Sequence, residues 1–221
     1  MTERTTPPAS GLDATAEEAG FYHEAALNAA WTGSRLAIGG LAFLFGAFLF
    51  AFFYLRSLDS SGRWQGPGFH PPSLLMGSFI MMLVLTSAGA HYAGLQRIKA
   101  GDKRTWQVAG LVTLVLALTA VVLQILELLF LPFWPGSSGF ASVFVGFSAV
   151  FIVVLLAGLV WLEMLLARSR PIPAIFFVEQ PPTYAEAFAV QRFQANVSAF
   201  NLTWAFLAVM AILFWFLFYV I

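Results

Sequence analysis

Apolar residues run along this chain in five long blocks separated by short polar or proline-rich joints. The clearest block is WQVAGLVTLVLALTAVVLQILELLFLPFW, Trp106 to Trp134, in which Glu127 is the only ionisable residue between Trp106 and Pro132. At about 1.5 Å per residue it makes a helix long enough to cross a hydrocarbon core of roughly 30 Å, with tryptophans at the two water interfaces. Leu36 to Leu55 is an uncharged run between Arg35 and Arg56 and forms the heart of a first span over about 36–58. The remaining blocks predict spans over about 73–95, 140–166 and 197–221, with the third over 106–132. Pro171, Pro173, Pro181 and Pro182 forbid continuous helix after the fourth, until Thr183 and Glu186 form a capping box that opens a helix feeding the fifth.

These blocks predict an all-α fold: a polytopic integral membrane helix bundle with five transmembrane helices, one domain over 35–221. Residues 1–34 form a separate segment, in which Met1 to Gly11 is rich in Thr and Pro and is expected to be disordered. From Thr15, with Glu18 three residues on, a short helix carrying Phe21, Tyr22, Ala25 and Trp31 is expected at the membrane surface. Phe43, Phe45, Phe48, Phe50, Phe52 and Phe53 cover more than one face of the first span, which predicts one side against acyl chains and the other against a partner subunit. In the second span Thr86, Ala90 and Gly94 make a small-residue stripe for close approach of another helix. Trp64 and Phe69 suit an interface.

Composition agrees with the pattern. Apolar residues make up 60% of the chain and charged ones 10%, against roughly 25% charged in a soluble domain. A formal charge of zero gives no reason to expect nucleic acid, and the absence of cysteine excludes disulfides, iron–sulfur clusters and thiolate metal sites. Charge placement sets orientation. Arg4, Arg35, Arg97, Lys99, Lys103, Arg104, Arg168, Arg170 and Arg192 fall on one side, and only Arg56 and Arg63 on the other. The amino terminus is therefore expected in the cytoplasm of a cell whose inner (plasma) membrane holds the chain, and the carboxyl terminus outside.

Candidate chemistry is sparse. Gln124 and Glu127 lie three apart and share one helix face, near the outer interface. His91 and Glu163 lie close to the cytoplasmic edge, Glu163 as a carboxylate snorkelling toward its arginines and His91 as a hydrogen-bonded packing residue. No ionisable group sits at mid-membrane, so a proton or substrate relay crossing this chain is not expected. The three histidines, His23, His70 and His91, share no span, which leaves no haem-ligand pair and no three-histidine copper site. A buried Glu127 needs a donor, and the candidates are Gln124, Ser142 and Ser148.

Thr86-Ser87 in the second span, a Gly101-Asp102 turn, Trp106 opening the third span, Gln124-x-x-Glu127 closing it and Ser142-Val143-Phe144 entering the fourth occur in an order that resembles subunit III of haem–copper terminal oxidases. Phe53-Tyr54 ending the first span, and Trp204, Phe206 and Tyr219 in the last, extend the likeness from about Arg35 to Ile221, in a five-helix form. The chain departs from that family where a carboxylate, two histidines, a histidine and an aspartate are usual: Ala42, Phe151, Val154, Ala205 and Ala208 stand there. The resemblance implies a non-catalytic accessory subunit of a cytochrome c oxidase-type complex in aerobic respiration. No cofactor is then bound by this chain; haem and copper sit in partner subunits I and II, other respiratory-complex subunits lie nearby, and phospholipid is held between helices. Gln124, Glu127, His91, Trp106 and Trp204 are its expected structural, lipid or partner contacts. The other readings are an accessory subunit of a quinol oxidase or nitric-oxide reductase, and an unrelated five-helix scaffold or small transporter.

Overall fold

The computed structural model describes residues 11–59, 62, 64–66, 68–179 and 181–221. Five helices carry the fold: α1 (Gly11–Ser57), α2 (Leu74–Lys99), α3 (Lys103–Leu129), α4 (Gly139–Ser169) and α5 (Tyr184–Trp215), the last running into a π-helical turn, Phe216–Val220. All five are long and apolar enough to cross a membrane, so the chain is a multi-pass membrane protein with an all-α architecture. Neighbouring helices close a ring in the order α2, α3, α4, α1, α5, and α4 also meets α5 across it. α1 and α5 run parallel: His23 meets Tyr184, Ser34 meets Ala199, and Phe52 meets Phe218.

Polar side chains set most of the helix starts. Ser73, Asp102, Ser138 and Thr183 accept from the backbone N–H three residues on, at Met76, Thr105, Ala141 and Glu186. The Thr183–Glu186 box forms as the sequence predicts, with Thr183 Oγ1 donating to Glu186 Oε2 at 2.7 Å. The α2–α3 turn needs Gly101, whose φ of +87° is a conformation L side chains rarely adopt. Lys103 then donates its Nζ to the carbonyls of Arg170 and Ile172, a cation at the end of α4, and Gln107 donates to Ser169 Oγ at 2.8 Å. The α4–α5 connection is thereby folded back over the α2–α3 turn at the basic end of the bundle.

Several expectations change. Helix α1 is continuous from Gly11 to Ser57, about 70 Å at 1.5 Å per residue, so no separate surface helix starts at Thr15. Its amino-terminal third runs beside the start of α5, with the His23 ring 4.3 Å from that of Phe188. The expected disordered tip lies outside the described residues, Gly11 excepted. One side of the α1 phenylalanines turns into the chain's own bundle, where Phe45 and Phe52 are fully buried, while Phe43, Phe50 and Phe53 face outward. Gly146 of α4 makes room for the half-buried Phe48, whose ring a Cβ there would meet at 3.2 Å. In α2 the buried edge runs through Gly77, Val84, Ser87, His91 and Gly94, so Thr86 faces outward and Ser87 takes its place. Trp64 turns inward as well, edge-on to Phe52 and Phe140 at 5.1 and 5.8 Å.

Candidate functional site

At the end of the bundle opposite the basic loops, Gln124 and Glu127 both point inward from α3 and are 6% and 7% exposed. The partner of Glu127 is neither Gln124 nor a serine. Tyr219, in the π-helical turn, places its hydroxyl 2.7 and 2.8 Å from the two carboxylate oxygens and donates to them. Two local features bring it there. The wider π turn carries the last residues of α5 around, and Gly77 of α2 leaves a seat for the phenol ring, which any Cβ at that position would strike. Beside the pair lies a small cavity of about 30 Å³, lined by Gln124, Glu127, Ser148 and Tyr219 among aromatic rings. Gln124 Oε1 is buried and has no hydrogen-bond partner among the described residues. Ser142, the other expected donor, instead bonds the Ser138 carbonyl on an exposed face.

Toward the basic end, His91 is fully buried, its Nδ1 3.1 Å from Asn201 Oδ1 and its ring edge-on to Phe200 at 4.7 Å. That ties α2 to α5. His91 Nε2 has no hydrogen-bond partner among the described residues. Trp204 is buried against α4, where Gly158 makes room for its ring, and donates Nε1 to Ser87 Oγ at 3.1 Å. Thr113 of α3 in turn donates to the Ser87 carbonyl at 3.2 Å, so one node joins α2, α3 and α5. Trp106 departs from its expected interfacial position. It is fully buried, edge-on to Phe193 at 5.2 Å, and its Nε1 has no partner among the described residues. Gly94 and Ala109 allow the α2–α3 approach beside it. Glu163 lies on the exposed side of α4.

Between the level of His91 and that of Gly77, fourteen residues or about 21 Å along α2, none of the five helices carries an Asp, Glu, His, Lys or Arg. What the sequence does not reveal is a cavity of about 320 Å³ between the ends of α4 and α5. Arg168 and Arg192 line it with Asn196, over a floor of Leu165, Phe188 and Phe193, and no carboxylate is among its walls in the described residues. Two guanidinium groups above an apolar floor suit a phosphate carried on a hydrocarbon tail. The two arginines are 24 residues apart in sequence, so only their helix ends bring them together. Among the described residues no group of three His, Asp or Glu side chains is placed to hold a metal ion. No protein-family model matches the chain, and no curated protein matches it.

Proposed function

We propose that this chain is an accessory, non-redox subunit of a haem–copper terminal oxidase, of the subunit III kind, which braces the oxygen-reducing core through helix and lipid contacts. The observation that carries the reading is where the polar side chains go. Those of Ser34, Ser87, His91, Thr113, Trp204 and Tyr219 each tie one helix to another, and the slab between His91 and Glu127 holds no ionisable group. A brace needs such ties; a transporter or proton path needs titratable groups through the slab. The Arg168–Arg192 cavity supports the lipid half of the reading, as a seat for a phospholipid phosphate on the basic side. In this reading haem and copper belong to subunits I and II. The chain sits in the inner (plasma) membrane, amino terminus in the cytoplasm.

Purifying the tagged full chain from its native membrane in mild detergent tests it. The expected result is co-purification of subunits I and II with a haem spectrum and stoichiometric copper in the complex. Isolation of the chain free of haem- and copper-bearing partners overturns it. Orientation is tested with single cysteines at the exposed Glu179 and Trp134: an impermeant reagent added outside intact cells should label the Trp134→Cys chain alone.

A further inference from the structure

A groove of about 580 Å³ opens between the start of α2 and the end of α3, at the end away from the basic loops. Its walls are apolar, chiefly Pro72, Leu75, Phe79, Leu126 and Phe130, and among the described residues Glu127 is the one ionisable group in them. The same residue borders the small inner cavity with Tyr219, and among the described residues no lysine or arginine lines either space. We propose that this groove is a binding site for a phospholipid with a primary ammonium headgroup, whose ammonium pairs with Glu127 while its hydrocarbon lies along Leu75 and Phe79. The site is independent of the complex that the chain joins.

Three observations carry this. A carboxylate so placed wants a cation or several donors. Tyr219 has one proton to give and stands almost equally far from both oxygens, leaving acceptor capacity that an ammonium with three donors can fill. Next, the groove lies within the 300–1,000 Å³ or so of ordinary ligand sites and is open on its membrane side, where lipid is the solvent. Finally, its chemistry is opposite to that of the Arg168–Arg192 cavity at the other end. One end offers two cations to a phosphate and the other one anion to an ammonium. An anionic headgroup such as phosphatidylglycerol meets only repulsion at Glu127, and a quaternary choline lacks the N–H donors that the carboxylate needs.

A zero-length carbodiimide reads the juxtaposition directly. It activates a carboxyl as an O-acylisourea; an adjacent primary amine attacks the acyl carbon, an amide forms, and the urea leaves. The full chain, with any partners that accompany it, is reconstituted in vesicles of phosphatidylethanolamine and phosphatidylcholine and treated with a membrane-permeant carbodiimide. The peptide containing Glu127 is then weighed. The expected result is a phosphatidylethanolamine adduct on Glu127, absent in phosphatidylcholine–phosphatidylglycerol vesicles and reduced about tenfold by Leu75→Trp, which fills the groove, a loss on the scale of one hydrogen bond to a charged group. Two results overturn the proposal: Glu127 activated, as shown by trapping with a small added amine, yet carrying no lipid; or no activation of Glu127 at all, which would show that it does not open on the groove.

Discussion

Tyr219→Phe is the smallest change that interrogates the Glu127 pair. It keeps the ring in the seat over Gly77 and its edge-on packing on Phe144 at 5.9 Å, and removes only the hydroxyl. Glu127, 7% exposed, then loses the one group among the described residues that donates to its carboxylate. Leaving a buried acceptor unsatisfied costs about 1–3 kcal/mol, with charged acceptors toward the upper end. For a chain of this length that is about 2–4 °C of Tm per kcal/mol, so a drop of several degrees is expected in detergent-solubilised protein. Glu127→Gln keeps an acceptor for the phenol and should melt close to wild type. Glu127→Leu removes the acceptor, so in that background Tyr219→Phe should be nearly neutral or slightly stabilising, because it removes a hydroxyl left without a partner. The double-mutant cycle from thermal or chemical unfolding should therefore show coupling of about 1.5–3 kcal/mol. Additivity within about 0.5 kcal/mol would refute the pairing as a structural lock.

Gly77→Ala pushes a methyl into the Tyr219 ring and should lower stability by about 1–3 kcal/mol; measured by the same unfolding, the loss should overlap that of Tyr219→Phe instead of adding to it. Trp204→Phe deletes the N–H given to Ser87 and should cost about 1 kcal/mol, whereas Trp204→Ala, which also empties the space over Gly158, should cost about 3–5 kcal/mol. Asp102 is held below its ordinary pKa of 3.8 by hydrogen bonds from the Thr105 side chain and N–H. Its charge therefore stabilises the fold above that ordinary value and ceases to as pH falls through the lower folded value, so the Tm difference between wild type and Asp102→Asn should be constant near neutrality and shrink in strong acid.

The sequence shows the spans well because their signal is length and apolarity, which need no knowledge of neighbours. The Thr183–Glu186 start is equally legible, since a capping box is local. What it conceals is which way a residue faces. With apolar residues on every side of each helix, no stripe separates the buried face from the lipid face, and only the positions of α3 and α5 distinguish Ser87 from Thr86. Trp106 misleads for a related reason: tryptophan at the end of a span is ordinarily an interface residue, and only Gly94, Ala109 and Phe193 together show that this one is inside. The length of α1 escapes too, because Arg35 ends the uncharged run without ending the helix. The face shared by Gln124 and Glu127 follows from their spacing, but the donor lies 92 positions away in sequence. No reading of α3 alone finds it.

The donor's location reverses the sense in which the chain is organised. The third block is the most self-contained, yet α5 or its terminal turn is one end of most of the polar ties between helices. Ser34 of α1 bonds Thr203 and the Ala199 carbonyl; Ser87, His91 and Ser78 of α2 meet Trp204, Asn201 and Trp215; Glu127 of α3 meets Tyr219. In lipid, burying one more leucine between helices gains little over leaving it in the acyl chains, so sparse hydrogen bonds and close-fitting small residues set register. Ties spread along α5 from Ala199 to Tyr219 cover about 30 Å, which fixes its axial position against three helices at once. The fourth is held differently: Phe147 of α4 stacks on Phe214 of α5 at 3.5 Å between centroids, and Gly158 receives Trp204. Sliding α5 by one helical turn would break ties to α1, α2 and α3 together while moving two aromatic rings off their glycine seats. The bundle therefore has one register, held by its last helix.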